Sequence, residues 1–282
     1  MNPKYPIFIP TKGRYKTPLT INTFKDIGVP FRIVIEKQEF GQYSKIVDAN
    51  QIIVVPHRDE GLTVTRNWIW DFAQSEGHER FWTFDDNISG LFRLNDNLKT
   101  PVGDGTILKA IEDFTERYEN ADITGMHYFM FASRKSKLPP YYLNTRIYSN
   151  MLIRTAIPFR NECFYNDDTD LCLRVLKSGR CTILFNAFLI FKETTMTVKG
   201  GMTEYYEKTD KRREFAEELQ RAHPDLVEIV WKFGRWHHQV DYRLFKRNKL
   251  KRVSNYDQIV EKGINNYGMI LKNIETGEIL KS

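Results

Sequence analysis

A mixed α/β fold, built on a mostly parallel sheet flanked by helices, is predicted by two features of this sequence. Short apolar runs alternate with amphipathic stretches through its first half, the pattern of parallel strands joined by crossover helices. One of those runs, Phe81-Trp82-Thr83-Phe84, ends abruptly in Asp85-Asp86-Asn87, as a strand does when its carboxyl end opens onto a ligand crevice.

The elements follow in order. Strands are predicted over residues 6–10, 31–36, 51–56 and 80–85, with helices between them over about 18–27, 42–48 and 62–76. Leu108, Ile111, Phe114 and Tyr118 fall at helical spacing, so 107–120 reads as a helix and the apolar-rich 123–131 as the next strand. Residues 133–144 turn polar and contain Pro139-Pro140, which predicts a loop. Strands over 147–154 and 181–192 flank a helix over 168–177, and Gly179 suits its left-handed cap. Lys199-Gly200-Gly201 breaks the chain before a charged helix over 203–222. From Val227 the tail is aromatic and basic, with a small hairpin around Glu275-Thr276-Gly277.

A length of 282 residues suits one large α/β domain with appendages, or that domain plus a smaller one. With 41% hydrophobic and 28% charged residues, disorder is excluded. No apolar run approaches the roughly 18 residues of a membrane span. The first residues lack the pattern of a signal peptide, so a cytoplasmic protein with no membrane partner is expected. Cys163, Cys172 and Cys181 are odd in number and too widely spaced for a zinc knuckle, which predicts buried free thiols. A net charge of +6 is compatible with a polyanionic partner without requiring one.

Asp85-Asp86-Asn87 is the strongest chemical signal. A hard divalent cation holding a diphosphate takes one or two carboxylates, with phosphate and water completing its shell. Asp86 is the candidate metal ligand, Asn87 a weak second, and Asp85 the residue facing a ribose. Seen alone, the triplet also fits a capped polar turn. Three other segments give it context. The first strand ends in Thr11-Lys12-Gly13-Arg14, where Thr11 and Arg14 can meet a base or phosphate. The second ends in Glu36, able to accept from a ribose hydroxyl or base N–H, or simply to sit on the surface. Arg66, near the start of a helix, can reach a base or diphosphate bidentately, or stay solvated.

A second acidic cluster, Asp167-Asp168-Thr169-Asp170, opens a helix. Capping and the helix dipole explain one or two of these acids but not three. Asp168 is the candidate general base, Asp167 the fallback, and Asp170 a structural residue.

Taken in order, Pro10-Thr11-Lys12-Gly13-Arg14, Glu36, Arg66-Asn67, Asp85-Asp86-Asn87 and Asn166-Asp167-Asp168-Thr169-Asp170-Leu171 resemble the GT-A-fold (Rossmann-like) glycosyltransferases over residues 5–200. More narrowly, Pro-Thr-Lys-Gly-Arg, Thr-Phe-Asp-Asp-Asn and Lys-Gly-Gly resemble the phage-type TET/JBP-associated glycosyltransferases, proposed to attach sugars to hydroxymethylated bases in DNA. That resemblance implies a GT-A-like core over 1–200, with a nucleotide-sugar-binding half (1–100) and an acceptor half (101–200), and a C-terminal basic helical and hairpin extension over 201–282. It also implies a UDP-sugar donor, a divalent metal (Mn²⁺ or Mg²⁺) and Asp168 at the family's base position. The location would then be the host cytoplasm for a phage-encoded chain, and no obligate protein partner is expected. Lys192, Thr195 and Lys199 lie where such folds close a loop over the donor, and Lys199 is a donor-binding candidate. A third metal ligand has no secure match; His237-His238 are the candidates.

Residues 232–252 hold eight Lys/Arg against one acid, interleaved with aromatics. Such a surface neutralises phosphates and stacks bases, so Arg235, Trp236, His237, Arg243, Lys246 and Arg247 are candidate DNA contacts; a basic helix packed by its aromatics is the alternative. Trp236, Tyr141 and Tyr142 are candidates to hold or replace an extruded base. The expected reaction is sugar transfer to a hydroxymethylated pyrimidine in DNA. A protein, lipid or polysaccharide acceptor, and a catalytically silent DNA-binding module, are the other readings.

Overall fold

The computed structural model describes residues 1–95, 97–133, 135, 137–193, 211–259, 276 and 278. Strands β1 (Ile7–Pro10), β2 (Arg32–Glu36), β3 (Ile52–Val55) and β4 (Arg80–Phe84) alternate with helices α1 (Leu19–Asp26), α2 (Phe40–Tyr43) and α3 (Leu62–Ser75). Next come β5 (Ile88–Asn95), β6 (Leu98–Pro101), α4 (Thr106–Glu116), β7 (Ala121–Tyr128), β8 (Tyr141–Leu143), β9 (Asn150–Arg154), α5 (Asp167–Lys177) and β10 (Cys181–Lys192). The C-terminal part adds α6 (Arg212–Ala222), the hairpin β11 (Val227–Lys232) and β12 (Arg235–Val240), a 3₁₀ turn at Arg243–Arg247 and α7 (Tyr256–Ile259).

One sheet runs in the order β3-β2-β1-β4-β9-β7-β10-β5-β6, with β8 added beside β10. The first four strands are mutually parallel, β9 runs against β4 and β7, and β7 and β10 are parallel again. Only β5, β8 and β9 oppose the common direction, so the expected mixed, mostly parallel sheet is present. The carboxyl ends of β1, β2, β4, β7 and β10 therefore open on one edge, as does the start of β9.

Helices cover both faces, which is why β1 and β4 are buried at every position and read as continuous apolar runs. Side chains nonetheless alternate. Ile7, Ile9, Trp82 and Phe84 pack with Phe24 of α1 and Leu108 and Ile111 of α4. Phe8 and Phe81 pack on the opposite side with Ile69 and Trp70 of α3 and Leu171 and Val175 of α5. A third cluster joins Leu173 and Leu176 of α5 to Leu219, Leu226, Val227 and Phe245, so the C-terminal part is fastened to the helix that carries the second acidic cluster. Cys163, Cys172 and Cys181 are buried free thiols, and burial pushes Cys163 and Cys172 up to about 12. No helix among the described residues is long and apolar enough to cross a membrane.

Several boundaries differ from expectation for local reasons. The helix expected over 42–48 forms earlier, as a 3₁₀ turn and α2, because the hydroxyl of buried Tyr43 is engaged by the β1 loop. The helix over 107–120 stops at Glu116, since Tyr118 bridges to Arg252 and Glu119 N–H bonds Lys251. The strand over 123–131 yields to a 3₁₀ turn at Phe129–Phe131, and the loop over 133–144 contains β8. The β5–β6 hairpin was not expected: its burial follows no clean period of two. The charged helix is described from Arg212. Its earlier part, Thr195, Lys199-Gly200-Gly201 and all but Thr276 of the expected 275–277 hairpin lie outside the described residues.

At the β7–β9 seam a side chain replaces the ladder. Asn150 Oδ1 accepts from Met126 N–H (2.6 Å), and its Nδ2 donates to the carbonyls of Met126 (3.0 Å) and Tyr148 (2.8 Å). This clamp follows Ser149, whose φ of 58° delays the start of β9, and it needs close approach at Gly125. A Cβ there would overlap the Asn150 carbonyl and the Ile147 side chain. Gly125→Ala is therefore expected to cost about 1–3 kcal/mol, read as a lowered urea midpoint; an unchanged midpoint would contradict the seam's tightness.

Candidate active site

The loop after β1 and the end of β4 meet first. Thr11 donates from its hydroxyl to Asp86 Oδ2 (2.9 Å) and shares a hydrogen bond with the Tyr43 hydroxyl (2.7 Å). The Arg14 backbone N–H donates to the same Tyr43 oxygen (3.2 Å), and its guanidinium pairs with Asp86 Oδ1. Burial pushes the Asp86 carboxyl up, against the opposing pull of Arg14 and Thr11. At the end of β2, Glu36 accepts from Lys12 Nζ (3.0 and 3.1 Å), from Gln38 and from Asp59 N–H (3.1 Å). Asn87 exchanges backbone and side-chain contacts with Glu193, tying the end of β4 to the end of β10. Asn87 Oδ1 is buried with no hydrogen-bond partner among the described residues.

Arg66, buried on α3, joins two carboxylates that are 82 residues apart in sequence. Its Nη2 meets Asp85 Oδ1 at 2.6 Å and its Nη1 meets Asp167 Oδ2 at 2.5 Å. Asp85 is also paired through Oδ2 with Lys192 Nζ (2.7 Å), the last residue of β10. Lys192 Nζ donates in addition to Ser149 Oγ (2.6 Å), and Ser149 bonds the Tyr128 hydroxyl (2.7 Å). Burial opposes ionisation of Asp85, but Lys192 and Arg66 together outweigh it and hold this carboxyl well below the usual range.

Asp168 behaves in the opposite way. Its burial and the neighbouring Asp167 charge push its carboxyl up to about 6, although Arg66 and Lys192 pull it down. Asp168 Oδ1 accepts from the backbone N–H of Thr169 (2.6 Å) and from its hydroxyl (3.2 Å). A buried carboxyl raised toward neutral pH is the kind of group from which general bases are made. Asp170 is used differently: it accepts from His223 (2.8 Å), Arg174 (2.9 Å) and the backbone N–H groups of Glu162 and Cys163. Glu218 of α6 takes the N–H groups of Phe164 and Tyr165 (2.8 and 3.1 Å). The loop that presents Asp167 and Asp168 is thus held from beneath by the C-terminal part.

The structure gathers these residues in two side-chain groups, Thr11 and Arg14 on Asp86 and Arg66 on Asp85 and Asp167, which meet at the consecutive Asp85 and Asp86; Asp168 follows Asp167, and Glu36 is held by Lys12. Lys192 was expected in a closing loop; it is instead the anchored end of β10, because the apolar run of that strand continues to Phe191. Lys199 lies outside the described residues. Sequence reasoning missed Ser149, Tyr128, Glu218 and His223, none of which stands in a local motif; only the polar break after Ile147 hinted at the first.

The tail candidates lie elsewhere. Arg235, Trp236 and His237 are on β12, and Arg243, Lys246 and Arg247 on the 3₁₀ turn. Trp236 packs edge-to-face on Trp231 (5.2 Å) under the Arg213 guanidinium (5.1 Å), and Arg243 is paired with Asp241 (2.8 Å). His238 faces Arg146 (3.3 Å), and burial with that charge pushes it down to about 4. Arg146 stacks on Tyr148 (4.2 Å), which stacks on Tyr128 (5.6 Å), so the hairpin reaches the active-site edge through a row of rings. Tyr141 packs into the core against Phe114, while Tyr142 is exposed beside His127. No group of three His, Cys, Asp or Glu that could hold a metal is found among the described residues.

The mostly parallel sheet thus gathers carboxylates and cations at its strand ends. Residues 5–201 match the family model of the TET-associated glycosyltransferases, and the chain belongs to that family. A search of curated proteins finds no significant match. Among solved structures, A197 from STIV is similar at 13% identity and a TM-score of 0.38, covering 67% of this chain and 84% of that one. A protein described as a nucleotide-diphospho-sugar transferase, from Desulfovibrio desulfuricans, is similar at 9% identity and a TM-score of 0.39, covering 78% and 98%. Mannose-1-phosphate geranyltransferase from Thermus thermophilus is similar at 12% identity and a TM-score of 0.32, covering 98% and 72%.

Two measurements probe the network. Arg66→Met leaves Asp85 and Asp167 buried without their shared cation, and at pH 7 the loss is expected to be about 3–5 kcal/mol by urea denaturation. Because Asp85 is depressed in the fold, that loss should shrink as pH falls below the ordinary carboxylate value; a pH-independent loss under about 1 kcal/mol would contradict the pairing. Asp168 is raised in the fold, so its ionised form destabilises the protein above pH 6 and costs nothing below the unfolded value near about 4. Asp168→Asn should raise the melting temperature at pH 8 and not at pH 4. A lower melting temperature at pH 8 would contradict it.

Proposed function

We propose that the protein transfers a sugar from a UDP-sugar to the hydroxymethyl oxygen of 5-hydroxymethylcytosine or 5-hydroxymethyluracil in DNA. The observation that carries this reading is the Asp85–Arg66–Asp167 bridge, which joins the donor-side carboxylate Asp85 to the acidic cluster that holds Asp168, a carboxyl raised to about 6. Thr11, Arg14 and Glu36 line the nucleotide side, with Asp85 toward the ribose, Asp168 is the base on the acceptor side, and Lys199 stays a donor-side candidate. Residues 1–200 form the transferase core in this reading, and 201–282 the basic extension.

A divalent cation fits the residues present. Asp86 spends one contact per oxygen, on Arg14 and Thr11, and so keeps lone pairs for a metal, and Asn87 Oδ1 has its acceptor capacity unused. When bound, Mn²⁺ or Mg²⁺ would neutralise diphosphate charge as the nucleotide leaves. The chain's own residues do the rest. Asp168, ionised above pH 6, takes the proton of the acceptor hydroxyl as its oxygen bonds to the anomeric carbon. The bond from that carbon to the diphosphate oxygen breaks, its electron pair departs with UDP, and direct displacement inverts the anomeric centre. Arg66 and Lys192 keep Asp85 ionised and fixed, so that it positions without competing for the proton. Arg235, Trp236, His237, Lys246 and Arg247 offer DNA a basic and aromatic surface; Arg243, held by Asp241, is the least available of that set.

Radiolabelled UDP-sugars, offered with Mn²⁺ to hydroxymethylated DNA, unmodified DNA and a cell-envelope extract, test this directly. Label is expected on hydroxymethylated DNA alone; label only in the extract would contradict the acceptor. Asp168→Asn should lower turnover about 10²–10⁴-fold with UDP affinity retained, whereas Asp86→Ala should weaken both turnover and metal-dependent UDP binding.

A further inference from the structure

The β11–β12 hairpin turns through Phe233 and Gly234, whose φ angles are 52° and 71°. Two successive positive φ values define a type I′ turn, a shape that asks for Asn, Asp or Gly at its first position. A bulky aromatic there is strained. Packing does not repay that strain, because Phe233 is 91% exposed and, among the described residues, its one ring contact is a perpendicular one with His237 at 6.1 Å. The strain holds a large apolar ring out in solvent at the tip of a ribbon.

The surroundings of that ring suit nucleic acid. Trp231, 58% exposed, and Trp236 pack edge-to-face immediately behind it. Lys232 donates to Gln239 and Arg235 to His237, and neither cation meets a carboxylate among the described residues. The one acid on the two strands, Glu228, pairs with Gln239 near the far end of the hairpin. At that far end His238 contacts Arg146 and, through Tyr148 and Tyr128, the active-site edge. With about 3.3 Å per residue, the tip stands roughly 15 Å beyond His238.

We propose that Phe233 is a wedge: its ring enters the base stack of a bound DNA duplex a few steps away from the target pyrimidine, with Lys232 and Arg235 on the flanking phosphates, and the kink it makes there eases the swing of the target toward Asp168. Apolar side chains inserted between base steps unstack and bend a duplex, which lowers the cost of extruding a base nearby. The inference rests on the DNA acceptor proposed above.

The test compares transfer to one hydroxymethylcytosine in a duplex and in a single strand of the same sequence. Phe233→Ala is expected to reduce the duplex rate about tenfold or more, the scale of unstacking at one step, and to leave the single-strand rate within about twofold. Phe233→Gly should behave the same while melting no lower than the wild type, since it relieves the positive φ. Equal losses on both substrates would make Phe233 a general stacking surface, and an unchanged duplex rate would give it no part in extrusion; either overturns the wedge while the wild-type activity upholds the acceptor. Wild-type protein inactive on both DNAs, and on the same pair carrying hydroxymethyluracil, would overturn the acceptor, and the wedge with it.

Discussion

Arg66 is the constraint on which the site depends. One buried guanidinium holds Asp85 at the end of β4 and Asp167 at the start of α5, and among the described residues no other cation is paired with both acidic clusters. The fork of a permanently charged guanidinium gives each carboxylate its own nitrogen, Nη2 for Asp85 and Nη1 for Asp167. The shared cation also divides the chemistry. Asp85 receives Lys192 as well and stays ionised, whereas Asp168, beside Asp167 and with no directly paired cation among the described residues, is left with a raised affinity for a proton.

The sheet makes this junction possible. Because β1, β4, β7 and β10 end on one edge, Thr11, Asp86, Tyr128 and Lys192 arrive at the same place from four distant segments. The β7–β9 seam then sets Ser149 between Tyr128 and Lys192. From below, Glu218 and His223 hold the loop that leads into α5, so the C-terminal part helps shape the segment that presents Asp167 and Asp168. The family match spans residues 5–201, and Glu218 and His223 tie residues beyond that span to the loop before α5.

Much of this was legible in the sequence, and for definable reasons. Buried strands read as apolar runs, and an apolar run that stops at Asp85-Asp86 marks both a strand end and a site. Three acids in one helical turn exceed what capping needs, which is why Asp168, a carboxyl raised to about 6 in the fold, drew notice in the sequence; its role as base is proposed. The bridge through Arg66 was not, since neither spacing nor period says that an arginine of α3 faces an aspartate of α5. Lys192 sat in plain view at the end of the longest apolar run, yet its role depends on β10 lying on the same side of the sheet as β4. Glu218 and His223 left no local signal at all, because their partners are backbone N–H groups and one aspartate far away in the chain. The β5–β6 hairpin was missed because its half-exposed residues alternate irregularly.

The most direct measurement of the central claim is a double-mutant cycle on the two carboxylates that Arg66 joins. Asp85→Asn, Asp167→Asn and the double variant would be compared by urea denaturation at pH 7. If one buried cation serves both, the effects should be non-additive by about 1 kcal/mol or more. Additivity within about 0.5 kcal/mol would mean that the two halves of the site are not joined through Arg66.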